Sequence, residues 1–493
     1  MPLAVTIPRI TCGGALLCLL AGLNPAFAAA PSDAFLAVTP GTNLPPAAND
    51  PNRPPNIRLL KPGVWTDDVG VDDNGNIYNQ YKRSPYGTWS NYEEAKANPF
   101  PIPDALVLKN GRRVEDADSW WKQRRPEILE DFYAEVYGRI PGNTPKITWE
   151  VTTSQTETVR TKTILGHIDN SAYPEATPAI EITLTLPAKA TSPVPVMVVV
   201  SSGGSGGPQR GAPPAAQGNP PAAAPAAVNA LGASPANRGG SGPAGPAPIQ
   251  QVLALGWGYA TYNTGSVQQD SAAGLTRGII GLVNKGQLRP SADQWGALTA
   301  WTWGLSRAID YFETDKDVDA KRLGVEGHSR WGKTALWAAA QDPRWGIVYA
   351  SCSGEGGAKL FRRNYGETTD NIAGSHWMAA GFRKYGGHWN DLPVDANELL
   401  ALVAPRPAFV TGATQDPWSD PRGEFLAAVG AGPVYRLLGK KDLGTTEMPP
   451  PNVSLISGDL AFREHVGAHT DIPDWPVFLD FASKYFAAPA MKN

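Results

Sequence analysis

Cysteine is nearly missing from this chain: three in 493 residues, at positions 12, 18 and 352. The first two lie in the apolar run ITCGGALLCLLAGL, which follows Arg9 and precedes PAFAAA, whose Ala26 and Ala28 supply an A-x-A cleavage site. That order of positive start, short apolar run and small residues reads as a signal peptide over residues 1–28, so a secreted or periplasmic protein beginning near Ala29 is expected. Cys352 then stands alone, which excludes an internal disulfide. An excess of one charge is also missing, since 43 basic and 46 acidic residues leave a formal net charge of -3. Nothing here attracts nucleic acid or an anionic bilayer as the main partner. No later segment supplies the ~18 consecutive apolar residues of a membrane span, so no membrane association is expected. Histidine is rare as well, six in all, which makes each one worth placing.

Proline, glycine and alanine are abundant and unevenly placed. A Pro/Ala/Asn-rich lead-in reaches about residue 56 and an N-terminal extension continues to 90. Within it DDVGVDDNGN (67–76) resembles a calcium loop but lacks the EF-hand spacing, and reads as a turn. A second tract, residues 203–248, is built from Gly, Pro and Ala that cannot form a packed core and is expected to be a disordered surface insertion. The remainder, 91–490, is expected to be one catalytic domain. WWKQRRPEILEDFYAEVYG (120–138) places Trp121, Ile128, Leu129, Phe132 and Val136 at helical intervals. KITWEVTTS and AIEITLTLP read as antiparallel strands, and PVMVVVS (195–201) as a strand covered on both faces. From GYATYNT onward strand and helix alternate, through ADQWGALTAWTWGLSRAIDYF, LGVEGH, TALWAAAQ and IVYASCS, to PAFVTGA (407–413) and the closing amphipathic helix WPVFLDFASKYFA (475–487). The alternation predicts an α/β fold: a mostly parallel sheet with helices on both faces, a three-layer sandwich.

GVEGHSRWGKTALWAAA (324–340) fits two motifs. Gly327, Gly332, Lys333 and Thr334 spell G-x-x-x-x-G-K-T, a phosphate-cradling loop. That loop wraps backbone amides around phosphate and favours small residues where this chain has His328, Arg330 and Trp331. Read around Ser329, the same stretch is a strand, a tight turn and a helix, with a serine at the tip where the helix N-terminus offers free amides to an oxyanion. The second glycine comes one place later than in G-x-S-x-G, so the elbow needs partners. They follow in the order acid then histidine: Asp416 beyond the strand PAFVTGA, and His469 in REHVGAHTDIPDW, with His465 nearby. Asp420 is the reserve acid and Glu355 the third choice. Ser, Asp and His in that order describe an α/β-hydrolase working by acyl transfer.

GHSRWGK resembles the G-x-S-R-x-G-K nucleophile motif of the glucuronoyl esterases, carbohydrate esterase family 15. WWKQRRPEI, SGEGGAKLFRRNYGE, ELLALVAPRP, DPWSDPRGEF and HVGAHTDIPDW are similar to further bacterial blocks of that family, so the likeness runs from about residue 90 to 487 without the Gly/Pro tract. The resemblance implies an α/β-hydrolase fold, no cofactor, and cleavage of the ester between a (4-O-methyl-)glucuronic acid of glucuronoxylan and a lignin alcohol. It implies Ser329 as nucleophile, His469 as base, and Arg330 as an oxyanion stabiliser. Lys333, Trp418 and Glu367 would meet the uronate sugar, against the alternatives that Lys333 is a surface or capping lysine, Trp418 a core aromatic, and Glu367 the partner of Arg362 or Arg363. Many members carry the triad acid as Glu in E-S-G-x-G-G; here the block reads CSGEGG, so Cys352 occupies that place and the carboxylate must come from the later loop, with Asp416 the choice, Asp420 the reserve and Glu355 third. An acetyl-xylan or other carbohydrate esterase, or a catalytically dead carbohydrate-binding homologue, would share the fold. A monomer is expected.

Overall fold

The computed structural model describes residues 58–59, 69–71, 77–83, 89–97, 101–203 and 246–486. The expected signal peptide, most of the calcium-loop-like segment and the interior of the 203–248 tract fall outside them. Four short antiparallel strands, Arg58–Leu59, Val69–Val71, Ile77–Arg83 and Trp89–Asn91, make a small sheet in the extension.

The main sheet has ten strands: β1 (Ile147–Gln155), β2 (Val159–Ile168), β3 (Ala179–Pro187), β4 (Val194–Ser201), β5 (Gly258–Asn263), β6 (Val318–His328), β7 (Ile347–Ser351), β8 (Ala408–Ala413), β9 (Ser454–Leu455) and β10 (Leu460–His465). Their spatial order is β9-β10-β8-β7-β6-β4-β5-β3-β2-β1. The six strands from β10 to β5 run parallel, whereas β3, β2 and β1 extend the sheet in antiparallel fashion and β9 pairs antiparallel with β10. The two strands expected to be antiparallel, β1 and β3, are separated by β2, which pairs with both.

Side-chain alternation along the parallel strands sorts residues into two cores. Val196, Val198 and Val200 of β4, Val348 and Ala350 of β7, Ala408 and Val410 of β8, and Leu460 and Phe462 of β10 join one core. Their intervening neighbours Met197, Ile347, Tyr349, Phe409 and Ala461 join the other. A strand whose successive residues are buried on opposite faces needs helices on both. The first core is covered by α3 (Ala297–Phe312), α4 (Arg330–Gln341), α5 (Ala396–Ala401) and α6 (Pro421–Leu437), with α1 (Arg125–Asp131). The second is covered by α2 (Pro248–Ala254) and α7 (Trp475–Phe486). In contrast, β3 buries Ile180, Ile182, Leu184 and Leu186 but exposes Glu181 and Thr183, the alternation of a strand wet on one side.

The segment around α1 departs from the sequence reading. It is helical from Ala117 to Tyr137, but α1 is flanked by two π turns, Trp120–Arg124 and Phe132–Tyr137. Those wider turns convert the apolar stripe to a strict four-residue repeat. Trp120, Arg124, Ile128, Phe132 and Val136 are therefore inside, while Trp121, expected on that face, is 43% exposed. Trp120→Ala should cost about 3–5 kcal/mol of folding stability and Trp121→Ala less than about 0.5 kcal/mol, a contrast that urea unfolding of the two variants would measure.

Candidate active site

β6 ends at His328 and α4 begins at Arg330, leaving Ser329 alone in the turn with φ 59 and ψ -128. Side-chain-bearing residues avoid that backbone region, and holding one there costs on the order of 1–3 kcal/mol. The turn closes because its neighbours are small. A Cβ on Gly327 would lie 2.0 Å from the Trp331 carbonyl oxygen, and one on Gly332 would lie 2.9 Å from that of Gly327. The Ser329 amide donates to the Ser351 carbonyl at 2.8 Å, pinning the turn to the end of β7. The Ser329 carbonyl accepts from the amides of Gly332 and Lys333. The first amides of α4, those of Arg330 and Trp331, have no acceptor in a preceding turn and remain for an incoming anion.

Asp416 and His469 follow adjacent strands. β8 and β10 are parallel neighbours, so the loops at their carboxyl ends lie side by side. The loops are tied together: Thr414 N–H donates to the His465 carbonyl at 3.0 Å, Gln415 N–H to that of Gly467 at 2.8 Å, and Gly467 N–H to Thr414 Oγ1 at 3.2 Å. His465 is buried, with Nδ1 2.8 Å from Asp474 and Nε2 3.1 Å from the Ala468 carbonyl. It anchors the loop that presents His469. His469 Nδ1 lies 2.6 Å from Asp416 Oδ2, and its ring packs on that of His328, with centroids 4.2 Å apart. The His469 imidazole is thus beside the residue that precedes Ser329. The Asp416 bond assigns the Nδ1 proton and leaves Nε2 as the basic nitrogen. Burial pushes the Asp416 carboxyl pKa up, but the His469 charge, its hydrogen bond and that of the Ser419 hydroxyl outweigh burial and hold it below the ordinary value.

The other two acids are committed elsewhere, which corrects the reserve choices. Asp420 caps α6, accepting from Gly423 N–H at 3.1 Å and from Arg363 Nε at 2.7 Å. Glu355 is sealed inside with Lys359 at 2.6 Å and the Thr369 hydroxyl. Cys352 does point at the imidazole. Its Sγ, a carboxylate oxygen of Asp416 and a ring nitrogen of His469 all lie within 4.8 Å of one another, the one trio among the described residues compact enough to hold a metal ion. Burial, with Asp416 and Glu424 nearby, pushes the thiol pKa well up. The thiol is therefore neutral and a weak partner for a histidinium, and the short His469–Asp416 bond fits this trio to proton transfer.

Arg330 is held by residues that the motif did not announce. Its Nη1 donates to Asp270 Oδ2 at 2.5 Å, and its guanidinium stands 5.4 Å from the Trp331 ring and 5.7 Å from that of Trp377. Asp270 Oδ1 also meets His376 Nε2 and Trp377 Nε1, each at 2.7 Å. Burial pushes the Asp270 pKa up, yet the His376 hydrogen bond and the Arg330 charge bring it down to about 2. A carboxyl lowered on folding stabilises the fold above its unfolded pKa, and that contribution disappears as pH falls through the folded value. Asp270→Asn is expected to remove roughly 1–2 kcal/mol of stability at neutral pH and to flatten the loss between pH ~4 and ~2, as denaturation measured across that range would show. With its fork released, Arg330 should also serve turnover less well, lowering kcat more than raising KM.

Lys333 and Glu367 come together, one helical turn past Ser329. Lys333 Nζ donates to Glu367 Oε2 and to the Ser353 carbonyl, both at 2.7 Å, and both side chains are buried. Glu367 pairs with neither Arg362, which holds Asp395, nor Arg363, which holds Asp420 and Glu94. The backbone carbonyl of Trp418 accepts from Glu367 N–H at 2.7 Å, so the DPW turn and this ion pair form one wall. Gly354, at φ +57, admits the pair, because a Cβ there would stand 2.6 Å from Glu367 Oε2. With Nζ so engaged, the G-x-x-x-x-G-K-T lettering describes no phosphate loop.

The family model described as "Glucuronyl esterase, fungi" matches residues 249–439. Carbohydrate esterase MZ0003, from an unknown prokaryotic organism, is 35% identical over 412 residues, 81% of this chain and 93% of that protein. This chain belongs to carbohydrate esterase family 15. Among solved structures, a family 15 glucuronoyl esterase from Teredinibacter turnerae T7901 is 36% identical with a TM-score of 0.70, covering 82% of this chain and 94% of that one. A glucuronoyl esterase from Solibacter usitatus is 38% identical with a TM-score of 0.68, covering 80% and 100%. The family 15 chain is thus an α/β-hydrolase and a carboxylic ester hydrolase, as its sequence implied.

Proposed function

We propose that this family 15 esterase cleaves the ester joining (4-O-methyl-)glucuronic acid of glucuronoxylan to a lignin alcohol, with Ser329 as nucleophile, His469 as base and Asp416 as orienting acid. The observation that carries the assignment is the 2.6 Å Asp416–His469 pair held against the Ser329 elbow through His328. His469 Nε2 takes the Ser329 proton as Oγ bonds to the uronate carbonyl carbon. The carbonyl oxygen becomes an oxyanion facing the Arg330 amide and guanidinium. The tetrahedral intermediate collapses, the ester C–O bond breaks, and the alcohol leaves with the proton from His469. Water, deprotonated by the same nitrogen, then releases the acid from Ser329. Lys333, Glu367 and Trp418 form the wall assigned to the uronate ring.

The test compares a benzyl ester of glucuronic acid with acetylated xylan. A kcat/KM at least tenfold higher on the uronate ester is expected; faster release of acetate would make the protein an acetyl-xylan esterase, and no turnover of either would leave a binding protein. Export belongs to the same proposal, and N-terminal sequencing of the mature protein should begin near Ala29. So does a monomer, to be read by light scattering.

A further inference from the structure

A cleft of about 570 Å³ opens beside β3 and β5, lined by Tyr173, Glu175, Thr177, Glu181, Gln269 and Arg277 among others. None of these residues belongs to the proposed triad or the uronate wall. The strand register fixes which side of the sheet it occupies. Glu181, near the start of β3, pairs with Asn263 at the end of β5. β5 is parallel to β4, and β4 to β6, so the cleft and Ser329 share the carboxyl edge of the sheet. β3 and β6 are three strands apart in the sheet, a lateral offset of roughly 14 Å at about 4.8 Å per strand. The wall between the cleft and Ser329 is continuous, since Gln269 lines the cleft and the next residue, Asp270, grips Arg330.

The cleft is built rather than left over. Gln268, fully buried, donates from Nε2 to the Gly274 carbonyl at 2.7 Å and accepts from Ile280 N–H at 3.1 Å, which fixes the loop carrying Gln269 and Arg277. Gly265, Gly278 and Gly286 line the cleft and leave backbone bare to a ligand. Gly278 has φ +54 and would set a Cβ 2.8 Å from Gln268 Oε1; Gly286 has φ +74 and abuts the Tyr173 hydroxyl. On the other wall Glu181 holds Asn263 Nδ2 at 2.8 Å, and Glu175 accepts from the Tyr173 hydroxyl at 2.7 Å. The Arg277 guanidinium and the Gln269 amide have no hydrogen-bond partner among the described residues.

The lining mixes donors and acceptors, with two carboxylates against one guanidinium, which disfavours an anion. Its single aromatic ring, that of Tyr173, is too little surface for a lignin alcohol. From this, and resting on the esterase reading above, we infer that the cleft is a subsite for neutral sugar units of the polysaccharide that bears the ester, a few residues from the uronate. Hydroxyl groups would pair with Arg277, Gln269 and the carboxylates while a sugar face lies on the glycine floor.

Two variants test it: Arg277→Ala, which removes an exposed donor, and Thr177→Trp, which fills the cleft from an exposed position. Each is measured by calorimetric titration with xylotetraose, and by kcat/KM on a benzyl ester of a glucuronoxylo-oligosaccharide relative to that on the benzyl ester of glucuronic acid alone. Xylotetraose affinity and the ratio should both fall at least fivefold in both variants. If the wild-type protein cleaves the two esters and neither affinity nor ratio changes in either variant, the subsite is overturned and the esterase reading stands. Should the wild type cleave neither ester, the esterase reading falls, and xylotetraose binding that ignores both substitutions, or fails altogether, overturns the subsite separately.

Discussion

Replacing Ser329 by alanine is expected to lower kcat on a glucuronate ester by roughly 10⁴- to 10⁶-fold, leaving the activity that oxyanion stabilisation and substrate positioning sustain without a nucleophile. The expectation rests on position. Ser329 is the lone residue between β6 and α4, and its hydroxyl makes no hydrogen bond among the described residues. Substrate affinity should survive, because the Lys333–Glu367 pair and the Trp418 turn are held by their own contacts rather than by the serine. Equilibrium binding of the uncleaved ester to Ser329→Ala, alongside single-turnover kinetics, would separate the two effects. Turnover within tenfold of the wild type would remove Ser329 from the mechanism.

Asp416→Asn is expected to cost about 10⁴-fold in kcat, because an amide facing Nδ1 favours the wrong imidazole tautomer and cannot balance the histidinium. Cys352 lies close enough to His469 to be the fallback, but a thiol kept neutral by burial supplies no charge. Cys352→Glu in the Asp416→Asn background should therefore recover activity, since it places a carboxylate at the end of β7 facing the same ring. Asp420→Asn should behave differently. It removes the charge that pairs with buried Arg363 while its amide oxygen can still accept from Gly423 N–H, so thermal stability should drop while kcat stays within a few-fold of the wild type. If instead the Asp420 variant loses turnover and the Asp416 variant keeps it, the assignment of the acid is reversed.

The architecture was legible because parallel strands buried on both faces are written as unbroken apolar runs, and VPVMVVVS and IVYAS could hardly be anything else. Strands with mixed lettering were harder to see. VRTKTILGHI of β2 alternates Thr and Lys with Ile and Leu, and LAFREH of β10 turns polar as it enters the site. Helical period put Trp121 inside rather than Trp120, since two π turns shift the buried stripe by one residue and a sequence does not announce a π turn. Ser329 and Asp416 could be placed because each follows a legible strand, and His469 because its loop precedes the closing helix. What could not be read was which acid is free. Asp420 and Glu355 are excluded by Arg363 and Lys359, and such pairings depend on tertiary placement. Asp270 carries no motif at all; its meaning comes from Arg330, sixty residues on, and from His376 and Trp377, beyond α4 and β7.

The unusual dihedral angles at position 329 set fitness and durability against each other at a single codon. Glycine would relax that turn, and a selection for heat tolerance that ignored catalysis should enrich it there. Serine persists only where hydrolysis itself is rewarded, so in a lineage that stopped using the ester this is the position where drift toward a more robust, inert protein should begin.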